Sequence, residues 1–207
     1  MDTIYTIILA AGEGKRLGYP KALLEIKGQW ILPTLIKNFE ESKLSKKVLI
    51  VIREEHQERF LDHGINKEQL VINKNPELGK NHSILKALDE IPKLQSIAIH
   101  PCDTPLIYSQ SINTLFSTWA KSPTPSKRLA RLVNIHGRGG HPLIVGHEFI
   151  EPLKKLLKKK TLRDFMHQEA MYKIDVPVSG DPGPFLNINT KEQLEWLESL
   201  TNISELN

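Results

Sequence analysis

The amino-acid sequence predicts an α/β fold, a single three-layer α/β/α domain in which helices cover both faces of a mostly parallel sheet. The chain has 207 residues, of which 40% are apolar and 25% are charged, as in ordinary globular domains. Short apolar runs alternate with amphipathic stretches, the pattern of parallel strands joined by crossover helices. The runs at residues 7–10 and 48–52 are continuously apolar, which is typical of strands buried on both faces.

Five apolar runs are predicted as strands, at residues 5–9, 48–52, 70–72, 96–99 and 129–135. Four amphipathic stretches are predicted as helices, at residues 31–39, 54–61, 83–91 and 111–119. The last third departs from this alternation, with helices near 148–158 and 161–169, strands at 171–176 and 185–188, and a final helix at 191–200. Asn189 or Thr190 can cap that final helix.

One domain spanning residues 1–207 is expected, because there is no internal repeat and the linker-like stretch at 121–126 is too short to separate two folding units. No run approaches the roughly 18 consecutive apolar residues that cross a bilayer. The N-terminus lacks the basic region of a signal peptide. The single cysteine, Cys102, cannot form an internal disulfide. We therefore expect a soluble cytoplasmic protein with no membrane partner.

The net charge of +4 and the pI near 9.0 suit a protein that handles phosphates, although many ordinary proteins are as basic. Five lysines between residues 154 and 160 supply much of this charge, around an apolar stripe of Leu153, Leu156 and Leu157. The spacing favours a solvated helix face, with a surface for acidic partners or nucleic acid as the alternative. Aromatic residues make up 6% of the chain and no nucleic-acid-binding motif is found, so no nucleic-acid partner is expected.

Ligands of α/β sheets bind beyond the carboxyl ends of the strands, so the loop at residues 9–21 is the first candidate site. It contains three glycines and three cations: Gly12, Gly14, Gly18, Lys15, Arg16 and Lys21. Small residues let backbone amides approach phosphate oxygens, and Arg16 can bind two such oxygens at once. An ordinary strand-to-helix turn with surface cations is the alternative. The glycine spacing matches neither the Walker A pattern nor the dinucleotide fingerprint.

This loop resembles the signature L-A-[AG]-G-x-x-x-R-[MFL]-G-x-x-K-x-L-L of the nucleotidyltransferase superfamily. The best fit is to the MobA-like group of molybdenum-cofactor guanylyl- and cytidylyltransferases and their relatives. The matching residues are Leu9, Ala10, Ala11, Gly12, Arg16, Gly18, Pro20, Lys21, Leu23 and Leu24. The resemblance implies a Rossmann-like sheet of the nucleotide-diphospho-sugar transferase or GT-A type. It also implies that Lys21 and Arg16 are catalytic.

Asp103 follows the predicted strand at 96–99 and lies between Pro101 and Pro105. A carboxylate at the end of a buried strand is placed to hold a hard cation, but from the residues alone it can equally cap the next helix. The segment resembles the family's metal-binding motif, which implies that Asp103 binds Mg²⁺ and takes part in catalysis. The neighbouring Cys102 is not needed as a nucleophile.

Residues 75–85 resemble the family's base-recognition loop. Gly79 and Ser83 match, whereas Lys80, Asn81 and His82 replace commoner residues. Free amides at the start of a helix would bind a ribose, a base edge or a phosphate, and a plain helix cap by Asn81 is the alternative. The nucleotide-binding residues that the resemblance implies are Leu9, Ala10, Ala11, Gly12, Gly14, Lys15, Arg16, Lys21, Asn75, Gly79 and Ser83.

Two later segments extend the resemblance. Residues 139–146 contain a Gly-His-Pro sequence like that of cytidylyltransferases, which implies that His141 borders the acceptor; a structural role is the alternative. Residues 186–194 resemble the family's [DN]-[IV]-[DN]-T-P-E-[DE]-L segment, which implies that Asn189 is a second metal ligand, with Asn187 as the other candidate. A helix cap is the alternative role of Asn189.

The resemblance as a whole implies an enzyme that, with Mg²⁺, moves a nucleoside monophosphate from an NTP to a phosphorylated small-molecule acceptor and releases pyrophosphate. The form of the glycine-rich loop and the Gly-His-Pro segment favour CTP, with GTP next. Molybdopterin is the family's best-known acceptor, and sugar phosphates are the alternative. Two other classes stay open. One is a GT-A-type glycosyltransferase, although the segment around Asp103 lacks its Asp-x-Asp motif, and the other is a nucleotide-binding regulatory module, which Asn187 and Asn189 favour.

Overall fold

The structure, a computed structural model, describes residues 3–200, which contain nine strands and seven α-helices. The strands are Ile4–Leu9 (β1), Glu25–Ile26 (β2), Gln29–Trp30 (β3), Ser45–Arg53 (β4), Leu70–Asn73 (β5), Ser96–Pro101 (β6), Leu129–Val133 (β7), Gly139–Val145 (β8) and Lys173–Pro177 (β9). The helices are Leu32–Glu40 (α1), Gln57–Asp62 (α2), Lys80–Asp89 (α3), Ser109–Ala120 (α4), Ile150–Leu157 (α5), Leu162–Gln168 (α6) and Lys191–Leu200 (α7).

Seven of the strands form one sheet in the order β5-β4-β1-β6-β8-β7-β9, and β2 and β3 form a separate small hairpin. β1 lies between β4 and β6 and pairs in parallel with both, and β4 pairs in parallel with β5. β8 is antiparallel to both β6 and β7, whereas β9 is parallel to β7. The carboxyl ends of β1, β4, β5 and β6 therefore meet at one edge of the sheet, where ligands bind in folds of this kind.

Two hydrophobic cores cover opposite faces of this sheet. Successive residues of a strand point to opposite faces, so Ile8 packs in one core and Ile7 in the other. Helices α1, α2 and α4 bury their apolar side chains, such as Trp119, in the first core. Helices α3, α5 and α6 cover the second face, where Phe165 of α6 is fully buried. The predicted α/β fold with a mostly parallel sheet and helices on both sides is confirmed.

The start of α6 is fixed by a reciprocal cap. The Thr161 hydroxyl accepts a hydrogen bond from the Asp164 N–H at 3.2 Å, and an Asp164 carboxylate oxygen accepts one from the Thr161 N–H at 2.7 Å. This capping box satisfies backbone N–H groups that have no partner within the helix. The Asp164 carboxylate is thereby engaged at the helix terminus.

The structure differs from several predicted elements. Residues 185–188 are not a strand: Gly183–Phe185 is a short 3-10 turn, and the chain is irregular from there to α7. The helix predicted at 54–61 divides into a 3-10 turn and α2. β8 was not predicted as a strand because it begins with Gly, Gly, His and Pro, which are poor strand formers. Gly140 is required there, since a Cβ would lie 2.6 Å from the Pro184 carbonyl oxygen.

A third, smaller hydrophobic cluster joins the loop after β1 to the C-terminal part of the described chain. It consists of Leu17, Leu24, Ile26, Ile31, Ile188 and Leu197. Leu17 is fully buried in it, and burying a leucine side chain contributes roughly 1.5–3 kcal/mol. The cluster therefore holds the segment before α7 against the glycine-rich loop. Within residues 3–200, no helix combines the length and the apolar character needed to span a bilayer.

Candidate functional site

A cleft of about 530 Å³ opens at the carboxyl ends of β1 and β6, and we call it the glycine-loop cleft. The loop at residues 9–21, the start of α3, the loop after β6 and the segment before α7 line it. Among the predicted site residues, those that line the cleft are Leu9, Ala11, Gly12, Gly14, Lys15, Arg16, Lys21, Gly79, Ser83, Asp103 and Asn189. Ala10, Asn75 and His141 lie outside it.

The amides of Ala10 and Asn75 are engaged elsewhere. The Ala10 N–H donates to the Val51 carbonyl at 2.9 Å, and its side chain is fully buried. The Asn75 N–H donates to the side-chain oxygen of Asn73 at 3.0 Å, on an exposed turn beside the cleft. Both backbone N–H groups are therefore already hydrogen-bonded within the protein, and nucleotide binding by Ala10 and Asn75 stays a prediction.

The glycine-rich loop turns sharply at Gly14. Its φ of +67° lies in the left-handed region, and a Cβ at this position would lie 1.9 Å from the Tyr19 carbonyl oxygen. The Gly14 carbonyl accepts hydrogen bonds from the N–H groups of Leu17 and Gly18 at 2.8 and 2.9 Å. Residue 14 must therefore be glycine for the loop to close around this turn.

Arg53, at the end of β4, braces the same loop and was not singled out from the sequence. Its Nε donates to the Ala11 carbonyl at 3.1 Å, and its terminal nitrogens pair with Glu13 at 3.1 Å and Glu55 at 3.0 Å. Glu13 also pairs with Lys15 at 3.0 Å. One feature of the sequence could have indicated this role: Arg53 is a cation that directly follows the buried strand predicted at 48–52.

Two cations of the cleft, Arg16 and Lys80, are exposed and have no ion-pair partner within residues 3–200. Arg16 projects from the glycine-rich loop, and Lys80 lies at the first position of α3. The N-terminus of a helix carries unsatisfied N–H groups and partial positive charge. The cleft thus has positive charge on two sides that is available to an anionic ligand.

The loop after β6 is held by backbone hydrogen bonds to both neighbouring segments. The Cys102 N–H donates to the Leu9 carbonyl at 3.1 Å, and the Ile188 N–H donates to the Asp103 carbonyl at 2.8 Å. Asp103 does not cap α4, because Tyr108 is the N-cap residue of that helix and no described side chain caps it; the Tyr108 N–H donates to Asp181 at 3.0 Å. The Asp103 side chain is therefore available to the cleft.

His100 supports this loop from the core. It is fully buried, and its Nε2 donates to the Thr104 carbonyl at 2.8 Å. Burial lowers the pKa of His100 to about 3, so the ring is neutral near pH 7. Burial, with a smaller effect of the Asp103 charge, raises the pKa of the Cys102 thiol to about 12. The thiol is therefore protonated at neutral pH and is a poor nucleophile.

Three predicted side chains meet at one point of the cleft. Lys21 Nζ donates to Asp103 Oδ2 at 2.6 Å and to Asn189 Oδ1 at 2.5 Å. The side chains of Lys21 and Asp103 are only 18% and 13% exposed. An ammonium group therefore lies where a carboxylate oxygen and an amide oxygen converge.

Asn189 can reach Lys21 because its side chain does not cap α7. Thr190 Oγ1 accepts a hydrogen bond from the Gln193 N–H at 3.3 Å, which makes Thr190 the capping side chain. The Gln193 side chain accepts one from the Asn189 N–H at 2.7 Å. Asn187 also lines the cleft. Among residues 3–200, no group of three or more His, Cys, Asp or Glu side chains is arranged to hold a metal ion.

The base-recognition segment begins with Gly79, which precedes α3 with a φ of +86°. Ser83 Oγ accepts a hydrogen bond from the buried Asn73 at 3.0 Å, and His82 Nδ1 donates to the same Asn73 side chain at 3.0 Å. Asn81 does not cap the helix. It donates at 2.9 and 2.7 Å to two carbonyls at and just beyond the end of α5, so it joins α3 to α5.

His141 lies in a second cavity of about 520 Å³, which shares Leu9, Lys80 and Pro101 with the glycine-loop cleft. We call it the basic cavity because two lysines and two arginines line it: Lys80, Arg131, Arg163 and Lys173. Burial lowers the pKa of His141 to about 4, so its ring is neutral near pH 7. Its Nδ1 is buried and has no hydrogen-bond partner within the described residues.

Comparison with known families agrees with this geometry. Residues 6–173 match the model of the MobA-like NTP transferase domain. The chain belongs to the MobA-like NTP transferase family. The family predicted from the sequence is thus confirmed, and so is the prediction of a nucleotidyltransferase at the level of the family.

Curated relatives of the chain differ in their substrates. The chain is 30% identical over 127 residues to a 2-C-methyl-D-erythritol 4-phosphate cytidylyltransferase from Wigglesworthia glossinidia brevipalpis. That alignment covers 58% of this chain and 53% of the relative, so the chain matches about half of that protein's length. The chain is 26% identical over 206 residues to a probable molybdenum cofactor guanylyltransferase from Bacillus subtilis, with 95% of both chains covered.

Solved structures of similar fold cover nearly the whole chain. A protein from Mycobacterium tuberculosis H37Rv has a TM-score of 0.76 at 16% identity, over 96% of this chain and 100% of that one. It was also solved in complex with manganese, with a TM-score of 0.72 at 15% identity and the same coverage. A nucleotidyl transferase from Methanothermobacter has a TM-score of 0.74 at 17% identity, over 96% and 97% of the two chains. At these identities the likeness shows the shared fold alone.

Proposed function

We propose that the protein transfers a nucleoside monophosphate from an NTP to a phosphorylated small molecule, releases pyrophosphate and requires Mg²⁺. The observation that carries this proposal is the meeting of Lys21, Asp103 and Asn189 beside the glycine-rich loop, with contacts of 2.6 and 2.5 Å. A cation for a phosphoryl group and two oxygen ligands for a metal ion are thereby present at one point.

The donor set of this point fits a hard divalent cation. Asp103 Oδ2 and Asn189 Oδ1 both lie within 2.6 Å of Lys21 Nζ, so the two oxygen atoms face the same point of the cleft. Mg²⁺ prefers oxygen ligands and usually takes one or two carboxylates together with phosphate oxygens and water. A structural neighbour solved with manganese supports a divalent metal. When bound, the metal would supply positive charge against the phosphate oxygens.

The cations and backbone amides of the cleft have separate roles in the proposed reaction. Lys21 stabilises the negative charge that develops on the α-phosphoryl group as its bond to the leaving pyrophosphate breaks. Arg16, together with the amides of residues 12–15, holds the β- and γ-phosphates. A phosphate oxygen of the acceptor attacks the α-phosphorus, so the protein supplies position and charge rather than a nucleophile. The protonated Cys102 thiol agrees with this mechanism.

The proposed nucleotide is CTP, with GTP as the second choice. The Gly-His-Pro sequence that begins β8 and the relatives named cytidylyltransferases support CTP. The Bacillus subtilis relative named a guanylyltransferase supports GTP. The proposed acceptor is molybdopterin or a sugar phosphate. The sugar-phosphate alternative is favoured by the 30% identity to an enzyme that acts on a methylerythritol phosphate.

We further propose that residues 1–207 act as one domain in a reducing cytoplasm. A single seven-stranded sheet and the cluster of Leu17, Ile188 and Leu197 unite early and late parts of the described chain. Cys102 is a free, buried thiol, as expected of a protein from a reducing compartment.

The first test is thermal unfolding with CTP, GTP, ATP and UTP in turn, each with and without Mg²⁺. A nucleotide at 100 times its dissociation constant should add about 2.7 kcal/mol to the free energy of unfolding. We expect the largest shift with CTP, and we expect Asp103→Asn to abolish the part of the shift that needs Mg²⁺. Asp62→Asn, at an exposed position of α2, is the matched control.

An absence of any metal-dependent nucleotide shift in the wild-type protein would refute the proposal. Turnover is then measured as pyrophosphate release with molybdopterin and with sugar phosphates as acceptors. A protein that binds CTP but releases no pyrophosphate with any of these acceptors would be the regulatory module instead.

A further inference from the structure

We propose that the acceptor carries a second anionic group, a phosphate or a carboxylate, and that Arg163 in the basic cavity selects it. The inference rests on the proposed function, which assigns the first phosphate of the acceptor to the attack on the nucleotide. It goes further by naming the chemical class of the acceptor and a residue that determines specificity.

The positive charge of the side chains around the basic cavity exceeds the negative charge of one phosphate. Arg131 Nε and Lys173 Nζ share the single carboxylate of Asp175, at 2.8 and 3.3 Å. Lys80 and Arg163 have no ion-pair partner within residues 3–200, and the cavity lining contains no Asp or Glu over that range. A phosphate monoester carries a charge of about −1.5 to −2. Four cations and one carboxylate therefore leave positive charge for a second anion after one phosphate has bound.

The free cations lie in different places. Lys80 lines both cavities, so it is at their junction, where the attacking phosphate must meet the nucleotide. Of these two cavities, Arg163 lines the basic one and not the glycine-loop cleft; it lies on the first turn of α6, and His167 follows it one turn later on the same side of the helix. A ligand phosphate at Lys80 would thus leave Arg163 for a second group farther from the nucleotide.

The acid next to Arg163 is not available to neutralise it. The carboxylate of Asp164 accepts hydrogen bonds from the N–H and the hydroxyl of Thr161, both at 2.7 Å. These bonds lower the pKa of Asp164 and keep its charge at the helix terminus. The exposed Arg163 guanidinium is consequently left to the cavity, and its planar set of donors can bind a phosphate or a carboxylate with two hydrogen bonds.

The rest of the cavity indicates what lies between the two anions. Its wall includes Ile99, Leu143, Leu162 and Met166, which suit an apolar or ring-shaped body. The buried His141 Nδ1 has no protein partner among the described residues and can bond a polar group of that body. The cavity therefore fits a compact molecule with an anionic group at each end.

The experiment compares two matched pairs of probes by thermal unfolding without nucleotide, at constant ionic strength. The pairs are glycerol 3-phosphate with 3-phosphoglycerate, and fructose 6-phosphate with fructose 1,6-bisphosphate. We expect the member with the additional anionic group to bind about tenfold more tightly, the size of one charge-assisted contact. Arg163→Gln should remove this preference, and Arg59→Gln, on the opposite face of the sheet, should keep it.

Equal shifts for both members of each pair in the wild-type protein, including no shift at all, would overturn the inference. A preference that survives in Arg163→Gln would overturn the assignment to Arg163. The variant should fold normally because Arg163 is exposed. The CTP shift is measured in the same samples. A lost CTP shift with a retained probe preference would count against the proposed function, whereas the reverse result would count against this inference alone.

Discussion

The two cavities that share Lys80 are built by different means. The glycine-loop cleft takes its shape from the backbone, through the turn at Gly14 and the hydrogen bonds of the loop after β6. The basic cavity takes its character from long side chains on β7, α6 and β9. Backbone geometry tolerates few substitutions, whereas exposed side chains can be exchanged at little cost to folding. Under the proposed function, the backbone-built cleft would serve the triphosphate, and the basic cavity would adapt the protein to its acceptor.

The charges of the two cavities are also arranged differently. In the glycine-loop cleft, Lys21 is bound to Asp103 and Asn189, so removing one partner leaves a partly buried charge without its counterpart. In the basic cavity, Arg163 has no such partner within residues 3–200. Mutations in the cleft are therefore expected to act on both activity and stability, and Arg163→Gln on ligand binding alone.

The largest effect is expected from Asp103→Ala and Lys21→Ala. Each should lower turnover by about 10²-fold or more, the usual size for losing an electrostatic stabiliser at a reacting phosphate. The measurement is pyrophosphate release with the acceptor that supports wild-type turnover, and Asp62→Ala is the control. Near-normal pyrophosphate release in either variant would show that turnover does not depend on the substituted residue.

Gly14→Ala should destabilise the protein by about 2 kcal/mol or more. A left-handed φ costs an L-residue roughly 1–2 kcal/mol, and the new Cβ would meet the Tyr19 carbonyl oxygen at 1.9 Å. The measurement is denaturant unfolding. Gly12→Ala is the control, since a Cβ there has no neighbour within 4 Å. Equal stability of the two variants would contradict the strained turn.

Acid should destabilise the protein through its buried histidines. The folded-state pKa values of His100 and His141 are lowered to about 3 and 4, while the unfolded chain titrates near 6.5. Between these values the unfolded state binds more protons, so stability is fully present above pH 6.5 and falls as the pH decreases. For His100 alone the loss at pH 5 is on the order of 2 kcal/mol.

The variant His100→Gln tests this pH dependence. It should be less stable than the wild type at pH 7.5, because the bond to the Thr104 carbonyl is altered, but its stability should fall less steeply between pH 6.5 and 5. His56, whose pKa is also lowered, remains in both proteins and cancels in the comparison. Parallel stability curves would show that His100 does not titrate in this range.

The smallest effect is expected from Cys102→Ser. The thiol is 5% exposed and protonated, so turnover should stay within about twofold of the wild type. Burying a hydroxyl in its place should cost about 1 kcal/mol of stability. A folded variant without activity would assign a chemical role to this side chain.

The sequence predicted what depends on local pattern. The glycine-rich loop and Asp103 each lie directly after a buried apolar run, so their place at one edge of a parallel sheet follows from the strand pattern. The contacts of Lys21 are different, since 82 and 168 positions separate it from Asp103 and Asn189. Only the family resemblance indicated that these residues lie together.

Two features were missed for physical reasons. The bond from Arg53 to Ala11 depends on β4 pairing beside β1, with Val51 opposite Leu9, and this register is not encoded in either strand alone. The strand β8 begins with residues of low strand propensity, and its formation depends on close packing of Gly140 against the turn at Pro184. Tertiary contacts decide both features.

The late position of Asn189 has a consequence for the newly made chain. During synthesis β1 and the glycine-rich loop leave the ribosome before the amide oxygen that contacts Lys21, which comes 168 residues after that lysine. Until then Lys21 and Asp103 lack both this partner and the Ile188 N–H that fixes the Asp103 backbone. All seven strands of the main sheet precede Asn189 in the chain, so under the proposed function a chain that stops before this residue would contain every strand of the sheet but lack part of the site.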